Sequence, residues 1–93
     1  MEEQAQKIAE LLKLLANKNR LLILCALTRG KQHVGEIHTH LPDITASALS
    51  QHLRQLKASG ILAAEKQGMH VLYWIADKRV LSLMETLQDN YCT

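Results

Sequence analysis

Along most of the chain, apolar residues recur with a helical period. Ile8, Leu11, Leu12 and Leu15 fall on one side of a helix whose other side carries Glu3, Lys7, Glu10 and Lys13, an amphipathic arrangement. A second helix begins near Asn17 to Arg20. Its run Leu21-Leu22-Ile23-Leu24-Cys25-Ala26-Leu27 is apolar on all sides, which puts it at the centre of the core, and Gly30 ends it. Val34, Ile37 and Leu41 predict a short third helix over 34–41, closed by Pro42-Asp43 in a turn. A fourth helix over 46–58 buries Leu49, Leu53 and Leu56, with Thr45 as N-cap and Ser59-Gly60 as stop. The period then changes. I-L-A-A-E-K and H-V-L-Y-W-I are β-prone runs on either side of Gln67-Gly68-Met69, which reads as a hairpin. A last helix runs from an Asp77 cap to about Tyr91, with Val80, Met84, Leu87 and Tyr91 in line and Leu81 and Leu83 beside them.

The expected fold class is therefore mainly α with a small β-hairpin wing. Three helices lead into a recognition helix, then the hairpin, then a closing helix, the order of a winged helix-turn-helix. The outer face of the fourth helix is polar and small: Ser47, Ser50, Gln51 and Arg54. Such a surface suits the major groove, where Arg pairs with guanine, Gln with adenine, and short serines let the backbone approach phosphate. Lys66 and His70 flank the hairpin tip, within reach of phosphates or the minor groove. The alternative for the fourth helix is a solvated amphipathic helix without a ligand; for His70 it is an exposed histidine with no task.

Composition narrows the class further. The chain has 93 residues and no Phe, enough for one domain over 1–93 with a limited core of Leu, Ile, Val and Ala. Stripes on the first and last helices then need cover, and a two-fold dimer formed through both is the expectation; packing within one subunit is the alternative. Net charge is only +2, too little for a non-specific nucleic-acid coat. Its distribution matters more, because residues 44–76 hold Arg54, Lys57 and Lys66 against Glu65 alone. The polar, acidic start M-E-E-Q-A-Q-K is no signal peptide and no apolar run spans a membrane, so a cytoplasmic protein is expected. Two cysteines in that compartment are not a disulfide scaffold. No nucleophile and base come with a Gly-rich loop or acidic partner, so no enzyme and no cofactor are expected.

Taken with A-N-K-N-R-L-L-I-L-C upstream, S-A-L-S-Q-H-L-R-Q-L-K-A-S-G-I-L resembles the ArsR/SmtB family of winged-helix regulators over nearly the whole chain. The resemblance implies a homodimer that binds double-stranded operator DNA, as a repressor, and releases it when an inducer binds. It also implies DNA contacts from Thr45, Ser47, Ala48, Ser50, Gln51, His52 and Arg54, with Lys66 and His70 at the wing. His52 lies on the inner flank of the helix, where packing or a hydrogen bond within the subunit is the competing role.

Inducer chemistry separates members of this family. Arsenic sensors carry C-V-C-x-x-C on the third helix, where this chain has His33, Gly35 and His38. Zinc sensors carry D-x-H and H-x-x-E on the last helix; here only Asp77 survives, followed by Lys78 and Arg79. His33, His38 and His40 lack an anchoring carboxylate or thiolate at an established spacing, so no metal site is assigned, and a histidine-based metal-responsive repressor stands as an alternative. Cys25 and Cys92, the latter in a terminal Y-C, are similar in position to the paired thiols of the persulfide-responsive BigR/SqrR/YgaV/HlyU subgroup. That likeness implies redox sensing by persulfide or polysulfide cross-linking of Cys25 and Cys92, which lowers DNA affinity. Chemistry alone leaves another reading open. Cys25 in an apolar helix is an ordinary core residue, Cys92 feels the unfavourable end of a helix dipole, and Arg29 is the one nearby cation the sequence suggests.

Overall fold

The computed structural model describes residues 1–91; Cys92 and Thr93 lie outside the described residues. Five helices and three short strands follow in the order α1 (Glu2–Leu15), α2 (Lys18–Leu27), β1 (Gln32–His33), α3 (Val34–Thr39), α4 (Ala46–Ala58), β2 (Leu62–Gln67), β3 (His70–Ile75) and α5 (Lys78–Tyr91). Local chemistry explains most boundaries. The Asn17 side chain accepts from the Arg20 amide and starts α2, and the Thr45 hydroxyl accepts from the Ala48 amide at 3.0 Å and starts α4. Asp77 accepts from the Arg79 amide at 2.9 Å at the head of α5. Gly60, with φ +85°, lets the chain leave α4 in a left-handed conformation that a side chain would resist.

The core draws on nearly every element. Ile23, Leu24 and Leu27 of α2, Ile37 of α3, the Leu49/Leu53/Leu56 stripe of α4 and Val80 and Met84 of α5 are all buried together. Full burial of such side chains contributes roughly 1.5–3 kcal/mol each, which holds α4 by its inner face and leaves its outer face free. The second helix is less enclosed than its composition suggests: Leu22 is exposed and Leu21 and Cys25 are half-buried, because α5 leaves a groove open along that side of it.

Two further differences from the sequence reading concern the wing. The sheet has three strands rather than two, in the order β1-β3-β2, with Gln32 paired to Tyr73 and His33 to Leu72. Gln67 pairs with His70, so the hairpin tip is Gly68-Met69 alone. Gly68 has φ +59° and Met69 does not have positive φ, the pattern of a type II′ turn whose twist matches its strands. The third helix stops at Thr39, two residues short of Leu41, whose buried side chain belongs to the turn that contains Pro42.

Candidate nucleic-acid interface and thiol site

Helices α3 and α4, joined by residues 40–45, form the helix-turn-helix. Its spacing is fixed by His38, whose Nε2 lies 2.8 Å from the Ile44 carbonyl across the turn. On α4, Ser47, Gln51 and Arg54 are exposed and Ala48 and Ser50 are half-buried. The helix contains no carboxylate. Ser47, Gln51 and Arg54 point their donors and acceptors into solvent, the condition for reading base edges. Thr45 is exposed, and its hydroxyl oxygen caps the helix while its O–H remains able to donate to a phosphate.

His52 sits apart from this face. Arg20 Nε approaches its Nδ1 at 3.4 Å, Arg20 Nη1 donates to the Leu14 carbonyl at 3.1 Å, and Arg20 Nη2 donates to Gln55 Oε1. Because arginine has no lone pair to offer, Nδ1 must accept and the neutral ring carries its proton on Nε2. Burial, and secondarily the Arg20 charge, hold the His52 pKa below its ordinary value. This guanidinium joins the end of α1, the start of α2 and the back of α4. Sequence reading misses it, although Arg20 stands in the quoted A-N-K-N-R stretch.

At the wing, Lys66 and His70 are exposed. The His70 ring stacks on His33, with centroids 4.5 Å apart and planes 21° from parallel. His33 in turn heads α3 in a capping box: its Nδ1 accepts from the Glu36 amide while Glu36 Oε1 accepts from the His33 amide. Wing and helix-turn-helix therefore meet through two imidazoles. The three histidines weighed as metal ligands are engaged differently, His33 in a cap, His38 across the turn and His40 at the C-cap of α3. Among the described residues no three His, Cys, Asp or Glu gather as a metal site. Asp77 receives both Nε and Nη2 of Arg79, at 3.1 and 2.7 Å, and this guanidinium lowers the Asp77 pKa.

Helix α5 lies back along α2. Gln88 Nε2 donates to the Cys25 carbonyl at 3.1 Å, and the Thr28 hydroxyl stands 2.8 Å from that carbonyl and 3.0 Å from Gln88 Oε1. Between the two helices runs an apolar groove of about 590 Å³, walled by Leu21, Leu22, Cys25, Met84, Leu87 and Tyr91. Cys25 is half-buried. Cys92, the second thiol named from the sequence, lies outside the described residues; it follows Tyr91 directly in the chain.

Apolar cover is incomplete elsewhere as well. On α1, Ile8 is 57 % and Leu12 48 % exposed, and Tyr91 at the end of α5 is 81 % exposed. Val80 and Met84, by contrast, are buried within the subunit, so only part of the α5 stripe is left open. No helix among the described residues is long and apolar enough to cross a membrane.

A buried leucine stripe presenting a polar, carboxylate-free helix face, followed by a β-hairpin, defines a winged-helix DNA-binding protein. Comparison with known proteins agrees. The profile of the HxlR-like helix-turn-helix family matches residues 14–91. The transcriptional activator HlyU of Vibrio cholerae is 38% identical over 92 residues, which cover 99% of this chain and 84% of that protein. The biofilm growth-associated repressor of Agrobacterium fabrum is 36% identical over 92 residues, covering 99% of this chain and 78% of its own. The solved structure of reduced HlyU from Vibrio cholerae superposes with a TM-score of 0.94 at 38% identity, covering 100% of this chain and 97% of that one. The chain belongs to the HxlR-like helix-turn-helix family and is a DNA-binding transcriptional regulator, not an enzyme. The likeness to HlyU and its subgroup, drawn from the sequence, is borne out.

Proposed function

We propose that the protein is a homodimeric repressor which binds a partly palindromic operator through α4 and the wing, and lets it go when Cys25 and Cys92 become bridged by sulfur. The observation that carries the DNA half is the outward face of Ser47, Gln51 and Arg54, seated on three buried leucines. Thr45, Ser50, Lys66 and His70 border that face and contact backbone phosphates, Ala48 offers its methyl group to the groove, and His52 acts by anchoring the helix from behind. Two copies related by a two-fold axis set their α4 helices in successive major grooves, about 34 Å apart. The exposed apolar residues Ile8 and Leu12 of α1 and Tyr91 of α5 support an interface built from the first and last helices.

Support for the thiol half comes from the lie of α5 along α2, clasped by Gln88 to the Cys25 carbonyl, with Cys92 next in sequence after a residue that shares the Cys25 groove. A thiolate takes the terminal sulfur of a persulfide R–S–SH, releasing RSH and leaving Cys25 as –S–SH. Closing the bridge removes two electrons, accepted by the S–S bond of a second persulfide: Cys–S–SH plus HS–Cys plus R–S–SH gives Cys–S–S–S–Cys, RSH and hydrogen sulfide. A direct disulfide needs Cα atoms within about 7 Å, whereas inserted sulfur spans a wider gap, a physical basis for preferring persulfides to peroxide. The bridge pulls on α5, changes the separation of the two α4 helices and weakens operator binding.

The test is operator affinity of reduced and polysulfide-treated protein, on a duplex the reduced protein selects from a random pool, with intact-mass measurement. Parent protein should gain a sulfur bridge and lose affinity about 5–150-fold, the usual scale of allosteric coupling. Cys25→Ser and Cys92→Ser should do neither. Unchanged affinity after complete bridging removes the sensing half and leaves the DNA-binding half standing.

A further inference from the structure

The tip of the wing carries an apolar residue that no packing within the subunit explains. Met69 is 95 % exposed. Of the other large apolar residues left exposed among the described residues, Met1, Ile8 and Leu12 belong to α1 and its head, and Leu22 and Tyr91 to the groove between α2 and α5. Met69 stands apart from both sets, and its surroundings hold it out. From Glu65 to His70 every residue is exposed, so the hairpin projects from the body by about three residues of strand, roughly 10 Å. The turn is tight, with Gly68 at φ +59° and Gln67 paired to His70 beneath it. Its root is fixed as well, through the buried Ile61 and Leu62, which follow α4 after Ser59-Gly60, and through the stack of His70 on His33 at the head of α3. The tip is therefore placed by the helix-turn-helix itself. One side chain crowns it, because Gly68 has none, and Glu65, the nearest carboxylate in sequence, pairs backward with Lys31 at 4.0 Å.

We propose that Met69 is a specificity-determining residue of the operator contact: its thioether chain enters the minor groove beside the α4 site and selects base pairs that carry no amino group on the groove floor. That groove is about 6 Å wide and admits one unbranched side chain more readily than a hairpin with bulky residues at both corners. Apolar side chains, methionine among them, are used in this groove by other DNA-binding proteins. Every base pair shows acceptors on the floor, and G·C adds the guanine 2-amino group. A thioether donates no hydrogen bond and accepts only weakly, so Met69 reads the floor by space. An A·T pair leaves room for its terminal methyl; the guanine amino group takes that room. Lys66, exposed one position before Gln67, supplies the charge for the phosphates along the groove. This rests on the wing meeting the operator, as proposed above, and adds base selection to its phosphate contacts.

The test uses modified bases that alter the minor groove and leave the major groove as it was. On the duplex that the reduced protein selects from a random pool, each A·T pair flanking the α4 contacts is changed to diaminopurine·T, which adds the 2-amino group. Each is also changed to G·C and to inosine·C, which differ only by that group. In the parent, one flanking position in each half-site should lose affinity about fivefold or more with diaminopurine, and guanine there should bind more weakly than inosine by a similar factor. Met69→Leu, which keeps apolar bulk, should retain this pattern and Met69→Ala should level it, with thermal unfolding unchanged in both because the side chain has almost no packing to lose. The same duplexes serve every variant, so differences in duplex stiffness cancel. Parent affinity indifferent to diaminopurine at every flanking position, or a Met69→Ala protein that discriminates as the parent does, overturns the role of Met69. Salt dependence separates that result from failure of the wing contact. If Lys66→Ala keeps the parent's salt slope, the wing is off the DNA and both readings fall; if the slope drops by about one while diaminopurine has no effect, only the role of Met69 is lost.

Discussion

Removing the Arg20 guanidinium tests whether α4 is held from behind as the geometry indicates. Arg20→Met keeps the aliphatic stem and deletes three links: to Leu14 at the end of α1, to His52 and to Gln55 on α4. A bond of this kind contributes about 0.5–1.5 kcal/mol net. The His52 contact is long at 3.4 Å and counts for least. The sum is then roughly 1–3 kcal/mol, with the partial exposure of Arg20 already weighed against the larger values for charged donors. For a chain of this size that lowers Tm by about 5–20 °C, a loss that a stability of about 5–15 kcal/mol survives.

Urea unfolding at fixed protomer concentration measures the loss, and proton NMR of His52 supplies an independent reading. Without the Arg20 charge the His52 pKa should rise toward 6.5 yet stay below it, because burial is the larger cause of the depression. Operator affinity should fall more than affinity for mixed-sequence DNA, while the salt dependence keeps its slope, since no phosphate contact is lost. A stability change under about 0.5 kcal/mol with an unmoved His52 titration would refute the clamp. A shallower salt slope with equal loss on all sequences would place Arg20 on the DNA instead.

Other outcomes follow from the same contacts. Gln51→Ala should cost about 1–3 kcal/mol of preference for the selected operator over its variants, read by competition binding, whereas Lys66→Ala should weaken all sequences alike and lower the salt slope by about one. Thr45→Ala removes the α4 cap and should cost about 1 kcal/mol in urea unfolding. His52 sets a pH dependence: its folded pKa is depressed, so below about pH 6.5 the unfolded chain binds more protons and stability falls with pH, while above that value the contribution is complete. Unfolding midpoints at about pH 7.5 and about pH 5.5 should therefore differ more in the parent than in His52→Gln.

The helices are legible in the sequence because each buries a repeating stripe, and stripes such as Leu49/Leu53/Leu56 depend only on neighbours three and four residues away. Caps at Thr45 and Asp77 are equally local. β1 is not legible: two residues carry no alternation, and Gln32 and His33 become a strand only because β3 offers them a paired edge. The spacing of His33 and Glu36 fits a capping box, but histidine is not a usual cap residue, so the signal reads first as a metal-ligand candidate. Arg20 joins partners 32 and 35 residues away, and nothing in periodicity reports contacts of that range. The polar face of α4 is readable for the opposite reason, since solvent exposure follows directly from which side the leucines take.

The position of Cys25 shows how packing, rather than composition, decides what a residue in an apolar run can do. Leu21-Leu22-Ile23-Leu24-Cys25-Ala26-Leu27 looks uniformly buried, yet Ile23, Leu24 and Leu27 face the core while Leu22 and Cys25 face the side where α5 lies. There the helix meets one apolar groove and one polar cavity, and Cys25 belongs to the wall of both. Gln88 binds the carbonyl of that same residue, so a change at the thiol is made at the point where α5 is fastened. α5 in turn carries Val80 and Met84 into the core that supports α4. A shift at Cys25 thus has a continuous packed route to α4, and it runs through side chains that interlock too closely to yield gradually.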